Sequence, residues 1–226
     1  MATLTQPALD LLKAYEGTPY FNNSRERMRM GLRAQVGKGT PEEIAEEAQL
    51  AAFREHVDLA VLTPEMHKKF LVDHKLGIDC SGFAYHILDT ESRARGLGPL
   101  HKHLKFPYSA SLLSSFGRSL RRRYVENTDA KTFAHIANSH EIPVAEIKPA
   151  DFFVRLRNQK DPESERDHIF IVTTVIQEFG TPVTITVAQS RALPEEGRYN
   201  NGVCVENLPR EALVKWGFPL YRLNWF

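Results

Sequence analysis

Apolar residues in the first half of the chain recur at helical spacing. Leu9, Leu11, Leu12 and Tyr15 supply the apolar positions of a helix expected to start near Thr5 and close at Gly17. "GTPYFNN" (17–23) then reads as a turn and a short extended piece. From Ser24 to about Lys75 the pattern is helical and densely charged. "TPEEIAEEAQLAAFREHVDLAVL" opens with Thr40 as N-cap, Pro41 at the first helical position and Glu43 completing a capping box. "TPEMHKKFLVDH" repeats the Thr-Pro opening at Thr63 and Pro64. A third helical region is expected over 109–140, carrying "SASLLSSFGRSLRRRY" and "DAKTFAHIANSH".

After "VAEIKPADFFVRL" the period shortens and β-branched and aromatic residues dominate. Strands are expected at Phe152 to Leu156, "HIFIVTTVIQ" (168–177), "VTITVAQS" (183–190), "GVCVENL" (202–208) and "PLYRLNWF" (219–226). Turns such as "EFGTP" and "RYNNG" between the runs point to antiparallel pairing. Helices first and strands later define an α+β class, with N-terminal helices packed on an antiparallel sheet. No Gly/Ser-rich or Pro-rich linker divides the chain, so 1–226 reads as a single domain. The stretches at about 22–77 and 91–147 read as helical insertions into it.

Composition changes this picture little. Lys plus Arg is 29 and Asp plus Glu is 28, a net charge of +1 that makes no demand for nucleic acid as partner. No apolar run reaches the length of a membrane span. The N-terminus lacks a basic segment followed by an apolar core, so a cytoplasmic chain is the expectation for the sequence as it stands. The two cysteines, Cys80 and Cys204, form neither a disulfide framework nor a CxxC metal pattern.

Chemistry enters at "GIDCSGFAYHIL" (77–88). Cys80 stands at the first turn of a helix, where free backbone N–H groups favour a thiolate. Asp79 suits the N-cap, and Ser81 and Gly82 suit close packing at the turn. A nucleophilic cysteine needs a histidine, and the chain has nine. His101 and His103 in "HKHLKF" lack a third metal ligand at fixed spacing, so no metal or other cofactor is expected. His168 opens the most β-rich run directly after the polar loop "RNQKDPESERD", a firm platform for a proton-shuttling imidazole. In "VTITVAQS", alternation puts Val183, Ile185, Val187 and Gln189 on one face and Ser190 on the other.

"GIDCSGFAYHIL", "IKPADFFV" and "DHIFIVTTV", in that order, resemble the NlpC-like cell-wall cysteine peptidases of the papain-like superfamily. Asp79, Cys80, Ser81, Gly82 and Phe83 match the family's Asp-Cys-Ser-Gly-Phe segment; Pro149 and Asp151 match its Pro-Gly-Asp start, with Ala150 in place of glycine. The resemblance implies a papain-like core with Cys80 as nucleophile and His168 as base. It also brings in Tyr20, from "GTPY", at the site, with a backbone N–H of Cys80 or Ser81 and the Tyr20 hydroxyl receiving the oxyanion. The family's third catalytic residue is a polar side chain on the strand after the histidine. Gln189 is the first choice here and Ser190 the second. The activity implied is hydrolysis of a peptide or amide bond in peptidoglycan peptides, which would direct an exported or processed chain to the cell wall. Acyl transfer or thioester chemistry, and a non-catalytic binding module on the same fold, stand as alternatives. Two departures bear on substrate: relatives keep only a short Gly-rich stretch between the Pro-Tyr segment and the cysteine, whereas nearly sixty residues lie there, and a second enlarged stretch precedes Pro149. The basic run "RSLRRRY" (118–124) is a candidate for facing substrate carboxylates.

Overall fold

A computed structural model of the chain describes residues 1–22, 32–106, 124–157 and 167–226. Residues 109–123 of the third helical expectation, and with them most of the basic run at 118–124, lie outside the described residues.

The described chain is a mixed helical and antiparallel-sheet protein. After a two-residue strand β1 (Ala2–Thr3), α1 spans Gln6–Ala14 with Pro7 in its first turn. α2 (Pro41–Glu55) carries the expected capping box: Thr40 accepts from the Glu43 amide and Glu43 accepts from the Thr40 amide. Its buried stripe, Ile44, Ala48 and Ala52, has the four-residue spacing of one helix face. α3 (Pro64–Asp73) is capped by Thr63. α4 (Cys80–Ala94) is the central helix, and ten of its residues are buried.

The described part of 124–147 departs from the helical expectation. α5 covers only Ala130–Ala134 and ends where His135 turns extended; residues 139–141 then form an edge strand, β2 (Ser139–Glu141). Asn138 explains the break. Its side chain bonds the Lys105 carbonyl and amide and the Thr132 carbonyl, offering the chain an alternative to continued helix.

The remaining strands are β3 (Phe152–Arg155), β4 (His168–Glu178), β5 (Thr181–Arg191), β6 (Gly202–Pro209) and β7 (Leu220–Leu223), with α6 (Arg210–Trp216) between the last two. All pairings are antiparallel, in the order β2-β7-β3-β4-β5-β6, with β1 extending the far end of β4. Alternation divides the core into two layers. Phe152, Val154, Ile169, Ile171 and Ala188 face α1 and α4; Phe153, Phe170, Val172, Ile185 and Val187 face Leu213 of α6. Glu91, fully buried in α4, ties α1 to it by accepting from the Thr5 amide and hydroxyl while pairing with Arg95. The first layer therefore fixes α4, and with it Cys80, against the sheet.

Among the described residues no helix is long and apolar enough to cross a membrane.

Candidate active site

Cys80 begins α4. Asp79 caps the helix, its Oδ1 accepting from the Gly82 amide at 2.6 Å. Gly82 has no side chain for a steric reason: a Cβ there would come within 2.6 Å of the Gly37 carbonyl oxygen. The segment before the cysteine is held from two sides. Ile78 forms isolated bridges with Tyr20 and Lys38, and its carbonyl accepts from the buried Ser190 hydroxyl at 2.7 Å. "GTPY" thus lies beside the strand-like approach to Cys80, and Thr18 continues it to β6 by accepting from the Val203 amide.

The sheet opens at this point. Pairing of β4 with β5 runs no further than Ile171↔Ala188, whereas β5 keeps pairing with β6 as far as Arg191↔Gly202. The first residues of β4 therefore part from the end of β5 and leave a notch. Val154, opposite Ile169, sends its amide to Pro219, so the Ile169 amide points away from β3 and towards the notch. That amide reaches the Cys80 thiol. Across the same notch, His168 Nε2 lies 2.6 Å from Gln189 Oε1. The structure thus brings His168 and Gln189 together and sets Cys80 against the amide that follows His168, with Tyr20 and Ser81 on the segments next to Cys80. Direct bonding of the thiol to the imidazole is absent among the described residues; contact with Cys80 comes from the neighbouring amide. His168 shares the face of Phe170, 6.1 Å between ring centroids, and the imidazole borders the notch from that side.

Electrostatics differ from the thiolate expectation. Burial pushes the Cys80 thiol up to about 12 and Asp79 adds to the rise, against the Lys38 ammonium and the Ile169 and Ser81 amides. Burial also brings His168 down to about 4, opposed by the Gln189 bond and helped by the Arg155 and Arg191 guanidiniums. Both groups are neutral at pH 7, so the resting pair is thiol and imidazole. A helix N-terminus favours the thiolate and burial opposes it; at Cys80, 6% exposed, burial is the larger effect.

Two side chains that the motifs do not include belong to this neighbourhood. Lys38 is buried, its Nζ bonded to Asp79 Oδ1 (2.9 Å), Ser81 Oγ (2.6 Å) and the Thr128 carbonyl (3.0 Å). The Ser81 hydroxyl also donates to Asp79, so the cluster satisfies every member. Glu206 of β6 accepts from Gln189 Nε2 at 3.3 Å. "QVGKGTP" around Lys38 carries one signal, the pair of glycines of a tight turn. Glu206 would emerge only from the β5–β6 register.

The remaining histidines of interest point elsewhere. His101 stacks on Tyr124 (4.6 Å) and His103 on Trp225 (5.1 Å), so the two rings have separate partners. His101 lines a cavity of about 530 Å³ on the outer side of α4, together with Arg33, Tyr85, Asp89, Arg93 and Tyr124. None of the candidate site residues lines that cavity.

Comparison with family models, with curated proteins and with solved structures finds no match to this chain.

Proposed function

We propose that the chain is a cysteine hydrolase with an NlpC-type, papain-like core that cleaves a peptide or amide bond, with cell-wall peptides as its substrate class. One observation supports the reading: His168 bonds Gln189 across the notch where β4 leaves β5, and the amide of Ile169, next to His168 in the chain, reaches the Cys80 thiol.

The mechanism starts from the neutral pair. His168 takes the thiol proton as Cys80 attacks the carbonyl carbon, so charge develops only along the reaction path. The oxyanion is received by the backbone N–H of Cys80 or Ser81, with the Tyr20 hydroxyl as a second donor. The imidazolium then protonates the leaving amine, giving a thioester on Cys80. Water, deprotonated by the same imidazole, releases the acid and restores the thiol. Gln189 holds the ring by accepting from Nε2.

A binding module on this fold is the second reading, favoured by the burial and neutrality of Cys80. Purified peptidoglycan and soluble muropeptides, incubated with the chain and read by mass spectrometry, separate the two. Hydrolase activity should appear in the wild type and vanish in Cys80→Ala, with the circular dichroism spectrum unchanged. Product formed equally by Cys80→Ala would end the thiol mechanism; muropeptide binding without product in either protein would favour the module.

A further inference from the structure

We propose that Glu206 is a positioning residue of this site: acting through Gln189, it fixes which ring nitrogen of His168 carries the proton. The inference rests on the reading of Cys80 as nucleophile and His168 as base. Glu206 lies opposite Val187 in the β5–β6 ladder, and Gln189 lies opposite Cys204, so Glu206 and Gln189 share a face. Its Oε1 is held by Arg191, which is itself anchored to Glu196 at 2.8 Å. Its Oε2 faces the Gln189 amide nitrogen at 3.3 Å.

An ionised carboxylate only accepts hydrogen bonds. The Gln189 side chain must therefore turn its NH₂ to Glu206, because the half-rotated amide would set oxygen against oxygen with no proton between them. With the NH₂ committed, Oε1 faces His168 at 2.6 Å. A carbonyl oxygen also only accepts, so the proton of the neutral imidazole sits on Nε2 and the lone pair on Nδ1. Nδ1 has no bonding partner among the described residues, and it is the nitrogen left to take a proton from a nucleophile. Without Glu206 the amide is free to flip. Its NH₂ would then donate to Nε2, the proton would move to Nδ1, and the base would be lost at that atom.

The tautomer is directly readable by ¹⁵N-detected NMR of the histidine-labelled full chain at neutral pH. The wild type should show His168 protonated at Nε2, and Glu206→Ala should show a mixture or the Nδ1–H form. Glu206→Gln, of the same shape but able to donate or accept, should also lose the single tautomer, and it replaces the alanine variant if that one does not fold. Retention of pure Nε2–H in the variant, or Nδ1–H in the wild type, overturns the proposal. Where hydrolysis is measurable, kcat should fall about tenfold at unchanged KM, as when one molecule in ten keeps the competent form. A chain that proves not to hydrolyse anything would defeat the enzymatic reading alone, because the tautomer is read without substrate.

Discussion

Lys38 offers the sharpest test of how the helix start is held. Lys38→Met keeps the length of the side chain and removes the ammonium. Three bonds disappear, to Asp79, Ser81 and the Thr128 carbonyl. Asp79 is not left bare, since the Gly82 amide and the Ser81 hydroxyl still donate to it at 2.6 and 3.1 Å. The loss should therefore fall at the lower end for breaking a buried pair, about 3 kcal/mol. For a chain of this size that lowers Tm by about 6–12 °C in a thermal denaturation followed by circular dichroism. A second effect concerns the thiol. Lys38 is one of the groups that pull Cys80 down against burial. Its removal should move the pH profile of Cys80 alkylation by iodoacetamide to higher pH. A variant melting within about 2 °C of wild type, less than 1 kcal/mol by the same scale, with an unshifted profile, would show that the ammonium neither braces the helix start nor acts on the sulfur.

Other expectations follow from single features. Because the folded Cys80 thiol lies near 12 and its ordinary value is 9.0, unfolding is favoured as pH rises through that interval. At pH 10 this should amount to about 1.4 kcal/mol of stability, absent from the pH dependence of Cys80→Ala; parallel curves for the two proteins would contradict it. Ala150 sits at φ +77°, where relatives of the proposed family carry glycine. Left-handed geometry costs a non-glycine residue about 1–2 kcal/mol, so Ala150→Gly should be neutral or slightly stabilising in urea denaturation. Ala84→Gly, at a buried helical position, should instead lose about 1–2 kcal/mol; equal losses at both sites would remove strain from the explanation.

Parts of this site were legible because local chemistry announces them. Thr40, Pro41 and Glu43 form a helix start by their own spacing, and Asp79 caps α4 for the same reason. Alternation along β5 separates Gln189 from Ser190, and the two do take different partners, His168 and the Ile78 carbonyl. Lys38 was not legible, since nothing local marks a lysine as buried. Its partners lie 41, 43 and 90 positions away. Glu206 was hidden for a related reason: strand periodicity gives a face but not the neighbour across the ladder. β1 and β2, two and three residues long, are too short for any period to show. The neutral resting pair also escaped, because a helix terminus is visible in sequence and the desolvation around it is not.

β7 is the last of the seven strands in chain order, yet it lies between β2 and β3. During synthesis, β2 and β3 emerge first and have no partner for the edges that will face each other. Arg222 of β7 then adds two bonds to the Asp151 carboxylate just before β3, each at 2.8 Å, beside the one the carboxylate already accepts from the Lys148 amide. A ribosome that has made everything up to β6 has therefore delivered Cys80, His168 and Gln189, but the sheet under them is still split in two. Folding from the N-terminus should therefore stay incomplete until β7 emerges, and a nascent chain paused before residue 220 should stay sensitive to protease. A nonsense codon between the end of β6 and the start of β7 would release a product with every chemical group of the site and no complete sheet to hold them.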